Sequence, residues 1–197
     1  FHGSSGCVLA EFSNDKSLEG MNLSEISEKF GCNPEEAAMR LYEISEGSFV
    51  LHSMEQKDVD EIGNCDIIAV ASDGNSLRAK GPLSSGKPHP RSYGTNSRFI
   101  ENMVVNKKLV PLGKAINRMT SLPASRLGLK NRGELKKGYF ADINIFKPEE
   151  IKENATYVNP HQYSTGMKYV LVNGQVALKN GKKLPGRYGR VIRSKES

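Results

Sequence analysis

The spacing of apolar residues changes character once along this chain, and that change bounds what it can fold into. Before Asn131, short apolar runs alternate with helix signatures. CVLAEFS (7–13), FVLHSM (49–54) and DIIAVAS (66–72) read as strands. Between them, NLSEISEKFG predicts a helix capped by Asn22 and stopped by Gly31, NPEEAAMRLYEISEG one capped by Asn33 with Pro34 in its first turn, and EQKDVDEIG a short one closing at Gly63. In the second of these, Glu36 stands where a capping box needs it, Ala37, Leu41 and Ile44 share one face, and Gly47 marks the end. The βαβ rhythm predicts a parallel sheet covered on both faces. A further helical stretch from Ser97 to Leu129 is interrupted by Pro111 and Pro123. From Asn131 onward the pattern turns to strands: RGELKKGYFADINIFK reads as a turn and a strand, and KYVLVNGQVALKNGKKL as a hairpin whose Asn173-Gly174 pair suits a type I′ turn.

Charge follows a different division. The net charge is +6, but residues 1–73 hold 4 Lys and Arg against 15 Asp and Glu, whereas the remainder holds 24 against 7. The cations are interleaved with apolar strand patterns and form no basic tail, which argues against nucleic acid as a partner. The stretch NLSEISEKFGCNPEEAAMRLYEI has the outline of a helix-turn-helix, yet its second helix offers four glutamates and one arginine where phosphate contacts require cations. No apolar run approaches the ~20 residues of a membrane span. Cys7, Cys32 and Cys65 are odd in number and widely spaced, which indicates neither a disulfide framework nor a zinc knuckle. FHGSSGCVLAEFS has no basic start and no apolar stretch of signal-peptide length. A reducing cytoplasm is the expected location.

Chemistry concentrates in ASDGNSLRAKGPLSSGKPHPRSYGT, residues 71–95. Asp73 follows an apolar run, at the carboxyl end of the predicted strand, where parallel α/β folds place ligands. A carboxylate there can serve as general base or metal ligand; Ser-Asp-Gly can equally do no more than open a turn. Arg91, stiffened by flanking prolines, can grip a carboxylate through two parallel hydrogen bonds, or be a solvated arginine in a basic loop. His89 fits a ligand, a base or a structural role between its prolines. His52 lies in a predicted strand as a satisfied, structural histidine, and His2 and His161 are isolated. Neither H-x-H nor H-E-x-x-H occurs, so these histidines cannot assemble a conventional metal site alone. A G-x-S-x-G elbow, a Walker loop and a Rossmann glycine pattern are also missing.

Taken in order, SDG (72–74), GPLSSGKPHPRSYGT (81–95), INRMTSLPASRLGL (116–129), RGELKKGYFADINIF (132–146), NPHQY (159–163) and VNGQV (172–176) resemble the C-terminal part of the D-aminoacylases, the N-acyl-D-amino-acid deacylases of the amidohydrolase superfamily. The resemblance implies an α/β fold: the C-terminal portion of a (β/α)8 metal-dependent hydrolase barrel in residues 1–130, and strands of a small β-sandwich domain in residues 131–197. It implies zinc as cofactor, Asp73 as the residue that takes a proton from the activated water, passes it to the leaving amine and lies close enough to the metal to ligate it, and Arg91 as the clamp on the substrate's α-carboxylate. Asn96-Ser97 replace the family's aromatic-proline pair, and the family's H-x-H, bridging cysteine and later histidines have no counterpart here. A barrel alone takes ~250 residues, so the chain by itself is expected to be inactive, to hold no catalytic zinc tightly and to self-associate through uncovered edges. The competing expectations are an amidohydrolase acting on cyclic amides and a non-catalytic binding module.

Overall fold

Asn22 and Gly31 bracket the first helix as their side chains dictate. In the computed structural model, which describes residues 2–193, α1 (Leu23–Phe30) begins with a reciprocal capping box: Asn22 Oδ1 accepts the Glu25 N–H at 3.0 Å and Glu25 Oε2 accepts the Asn22 N–H at 2.8 Å. Gly31 closes the helix at φ +64, the left-handed conformation that costs glycine least. Helix α2 (Pro34–Ile44) is capped by Asn33, which accepts the Glu36 N–H at 2.8 Å. Only half of the expected box forms, because the Glu36 carboxylate turns to Arg40 at 2.6 Å. Ser45 caps the helix, and Gly47 opens the next strand instead of ending the helix.

Two compact units divide the chain, one up to Val59 and one from Asp60 onward. In the first, β1 (Cys7–Phe12) and β2 (Gly47–Leu51) pair with Val8 opposite Val50 and Phe12 opposite Gly47. The pairing is antiparallel, not the parallel arrangement that the rhythm predicts. A single helix between strands carries the chain across the sheet, whereas two helices return it to the end it left. Leu9, Phe12, Leu18, Ile26, Ala37 and Leu41 form the core of this unit, while Ile44 stays half exposed. His52 lies exposed beyond the end of β2 and not within a strand; its N–H donates to the Gly6 carbonyl at 2.8 Å.

The second unit takes the chain from α3 (Gln56–Gly63) through residues 66–72, which join no ladder among the described residues, contrary to the predicted strand. A strand of a parallel sheet owes its form to its neighbours, and no described segment pairs with this one. Ile67 accordingly stands 74% exposed. Helix α4 (Arg91–Phe99) starts earlier than its periodicity shows and runs into a wider π turn over Ile100–Asn106. Pro111 precedes α5 (Leu112–Met119), but Pro123 sits within the first turn of α6 (Ser121–Arg126), where its missing N–H has no helical partner to lose. Met103, Val110 and Ala115, flanked by Phe99, Val104 and Met119, are the core here.

Strands β3 (Ile143–Phe146), β4 (Met167–Val172), β5 (Gln175–Lys179) and β6 (Lys182–Lys183) form an antiparallel meander. Asn173 and Gly174 adopt φ +48 and +80 with Val172 opposite Gln175, the expected I′ turn. Asn180-Gly181 repeats the device at φ +49 and +74 between β5 and β6. None of the described helices is long and apolar enough to cross a membrane.

Because Leu9 is fully buried among Phe12, Ile26 and Leu41, Leu9→Ala is expected to destabilise the first unit by about 2–5 kcal/mol. Urea unfolding followed by circular dichroism measures this, and a loss under about 1 kcal/mol would contradict the core assignment.

Candidate active site

The turn at Ser72-Asp73-Gly74 meets the start of α4 because Gly74 has no side chain. A Cβ at that position would lie 2.8 Å from the Ser92 Cα, closer than atoms tolerate, so glycine permits the backbones to touch. Asp73 takes φ +46, a left-handed conformation uncommon for a residue other than glycine, though aspartate tolerates it better than most. Contact and turn together aim its carboxylate at the first residue of α4. Arg91 Nη2 lies 2.7 Å from Asp73 Oδ2, with the Asp73 side chain 84% exposed and that of Arg91 46%. The two residues singled out from the sequence are therefore neighbours, joined by an ion pair that water screens in large part.

His89 fixes the approach of Arg91. Its Nδ1 accepts the Arg91 N–H at 3.0 Å, satisfying one of the orphan donors at the start of α4. The proton of the neutral ring then resides on Nε2, which donates to the Tyr157 hydroxyl at 3.0 Å; the two rings meet edge to face at 5.0 Å. Burial of part of the ring, aided by the positive Arg91 and Arg98, holds the His89 pKa below its ordinary 6.5. Its geometry is that of a helix cap and not of a ligand.

His161, isolated in the sequence, proves central to a second lattice. Its Nε2 donates to the Gly86 carbonyl at 2.9 Å, and Nδ1 lies 2.8 Å from the Tyr93 hydroxyl, which is also 2.9 Å from the Arg78 carbonyl. The Tyr163 hydroxyl accepts the Ala79 N–H at 3.2 Å, and the rings of Tyr93 and Tyr163 pack edge to face at 5.7 Å. Residues 78–86, rich in glycine and serine, are thus held to α4 by aromatic residues distant in sequence. Beneath the helix, Glu153 packs so close to Gly94 that a Cβ there would sit 2.6 Å from its Cγ. Glu153 Oε1 is buried without a hydrogen-bond partner, and burial raises its pKa, with Arg98 opposing and Glu101 adding to the shift. The carboxylate of Glu101 accepts from Lys152 Nζ and from the Glu153 N–H, each at 2.8 Å, which fixes the strand-like segment beneath α4. Neither His161 nor Tyr157 is marked by local sequence. The NPHQY and YGT motifs contain His161 and Tyr93, but only contact reveals that they meet.

No three histidine, cysteine or acidic side chains converge on a common point among the described residues. Asp73 presents one carboxylate oxygen that Arg91 does not occupy, a single potential donor where a metal centre needs three or more. By themselves the residues present do not fit a metal ion.

The chain belongs to the amidohydrolase family: residues 81–178 match Amidohydro_3, the Amidohydrolase family. Within that family it is similar to enzymes that act on N-acylated D-amino acids. The N-acyl-D-aspartate deacylase of Alcaligenes xylosoxydans xylosoxydans is 35% identical over 156 residues, which make up 79% of this chain and 29% of that protein. The structure of a D-aminoacylase superposes with a TM-score of 0.78 at 27% identity, over 94% of this chain and 37% of the other. The N-acyl-D-glutamate deacylase of Bordetella bronchiseptica, solved with zinc and a phosphonate inhibitor mimicking the tetrahedral intermediate, matches with a TM-score of 0.78 at 29% identity, over 97% of this chain and 38% of the other. The chain spans less than a third of the length of the curated relative and under two-fifths of the solved ones.

A histidine whose pKa is depressed on folding stabilises the folded state fully above its unfolded value and loses that contribution as pH falls, because the unfolded chain then takes up the proton more readily. Stability is therefore expected to decline below pH 6.5 in part through His89. His89→Asn, which keeps an acceptor for the Arg91 amide but does not titrate, flattens that limb. Urea unfolding at about pH 7.5 and about pH 5.5 compares the two proteins, and an NMR titration placing His89 at or above its ordinary value sinks the assignment.

Proposed function

We propose that this chain is the C-terminal part of a longer zinc-dependent hydrolase that cleaves N-acyl-D-amino acids to a carboxylate and a free D-amino acid. Residues 1–130 then correspond to the last strand-helix units of a (β/α)8 barrel and residues 131–197 to strands of a small β-sandwich domain. The observation that carries the reading is the Asp73–Arg91 pair, a proton-transfer carboxylate and a carboxylate-binding cation held 2.7 Å apart at one turn. The exposure of Ile67 and Ile68 in the segment leading to Asp73 supports it further, since an apolar stretch at a barrel's last strand is covered by its neighbours. Zinc would be held chiefly by residues outside this chain, with Asp73 as a further ligand, and would supply a water that loses its proton near neutral pH.

The roles of the chain's own residues follow from geometry. Arg91 exchanges Asp73 for the α-carboxylate of the substrate, one charge-assisted pair for another, and thereby fixes the amide relative to Asp73. Asp73, released from that pair, accepts a proton from the attacking water and delivers it to the leaving nitrogen. His89, with its proton on Nε2, keeps the start of α4 in register so that Arg91 reaches the substrate. The chain in isolation is inactive, is a cytoplasmic protein's segment, does not bind nucleic acid and covers its apolar surface by self-association.

Release of free amino acid from N-acetyl-D-amino and N-acetyl-L-amino acids by the full-length protein with added zinc is the test. Cleavage of the D-series is expected, with Asp73→Asn lowering kcat by about 10^3-fold or more and Arg91→Ala chiefly raising KM. Turnover of a cyclic amide such as a hydantoin but not of any N-acyl amino acid would overturn the substrate assignment. For the isolated chain, sizing chromatography is expected to show a dimer or larger species, and a monomer at all concentrations contradicts the self-association.

A further inference from the structure

We infer that Tyr157 is a positioning residue for Arg91, acting through the side chain of His89. At the start of α4 the main-chain donors can be followed one by one. Pro90 has none, the Ser92 N–H donates to the His89 carbonyl at 3.0 Å, and the N–H groups of Tyr93 and Gly94 donate to the Pro90 carbonyl at 2.9 and 3.1 Å. Arg91 differs. Its N–H donates to a side chain, His89 Nδ1, at 3.0 Å. The main chain of the residue that carries the clamp is therefore set by the direction of one imidazole ring.

That ring serves the amide in one state only. Nδ1 must be bare to accept, so the proton of the neutral ring sits on Nε2; a proton on Nδ1, whether in the other tautomer or in the imidazolium, would set donor against donor. A half-turn of the ring would put carbon against the amide instead. Tyr157 opposes both changes. Its hydroxyl lies 3.0 Å from Nε2, where it accepts that proton, and its ring meets the imidazole edge to face at 5.0 Å. Pro88 and Pro90 restrict the backbone of His89 from either side, which leaves the side-chain torsions as the freedom that the tyrosine removes. Tyr157 is half exposed, so water competes for its hydroxyl and the contact is worth no more than an ordinary hydrogen bond.

The inference rests on the proposed grip of Arg91 on the substrate's α-carboxylate, and its test separates the two. In the full-length protein loaded with zinc, Tyr157→Phe, which keeps the ring and removes the hydroxyl, is expected to raise KM for an N-acetyl-D-amino acid by about 3–10-fold while kcat changes by less than about 2-fold, since Asp73 is untouched. In a His89→Asn background, where a carboxamide accepts the Arg91 N–H and no ring faces Tyr157, the same substitution changes KM by less than about 2-fold. A KM that stays within about 2-fold in the otherwise wild-type protein, an equal factor in both backgrounds, or a kcat that falls by more than KM rises overturns the inference. Nitrogen NMR of the histidine-labelled protein, with His89→Asn identifying the signal, reads the ring directly: a proton on Nε2 is expected at neutral pH, and one on Nδ1 overturns the relay. Should the wild type cleave no N-acyl amino acid, the proposed function fails and amide exchange decides the relay: faster exchange at Arg91 with Gly94 unchanged in Tyr157→Phe sustains it, and no change or a uniform loss of protection overturns it.

Discussion

A single buried guanidinium ties the end of α3 to the segment that follows it. Where residues 62–70 pass beneath α5, the Arg118 side chain spends its donors on three main-chain carbonyls, and its own carbonyl receives a fourth main-chain group, Val70 N–H. Two of those carbonyls, Ile62 and Gly63, belong to the last turn of α3, and each such bond is worth roughly 0.5–1.5 kcal/mol net. The guanidinium lies against the Phe99 ring, which packs on the cluster of Met103, Val110 and Ala115.

The same economy recurs around α4. A histidine cap, two tyrosine hydroxyls and a second histidine hold a loop too rich in glycine and serine to hold itself. Aromatic rings contribute flat, rigid surfaces at a low entropic cost, and their polar tips find backbone partners. Rigidity is thereby imported into residues 78–91 from the segment around Tyr157, His161 and Tyr163. Under the proposed function, with Arg91 on a carboxylate and Asp73 at an amide, that stiffness counts, since a displacement of about 1 Å between clamp and base costs roughly 10^2-fold in rate.

What was legible in the sequence was local. Asn22, Gly31, Asn33 and Asn173-Gly174 act on backbone groups within a few residues of themselves, and each does what its chemistry foretells. The strand expected over residues 66–72 was not legible in this sense, because a ladder is a property of two segments and the apolar pattern belongs to one. The orientation of β2 against β1 depended likewise on how two helices return the chain, which periodicity does not encode. Asp73 and Arg91 stood out through a resemblance spread over much of the chain; by local features alone each had an ordinary surface explanation. Arg118 lies inside INRMTSLPASRLGL, where nothing in its flanks reveals that its side chain is buried.

The two Asn-Gly turns of the meander differ in how they will age. In such pairs the glycine nitrogen can attack the preceding carboxamide and expel ammonia, giving a cyclic imide that water then opens to a carboxylate, provided the side chain is free to swing toward it. Asn173 is not free: its Oδ1 accepts from Arg132 Nη2 at 3.2 Å and its Nδ2 donates to the Tyr188 carbonyl at 2.5 Å. Asn180 has no such tether among the described residues, and its turn joins only the short β6 to the sheet. Chemical wear of this domain therefore starts at its outer margin, and the inner turn, on which the register of β4 and β5 depends, is shielded by the bonds that also anchor the tail.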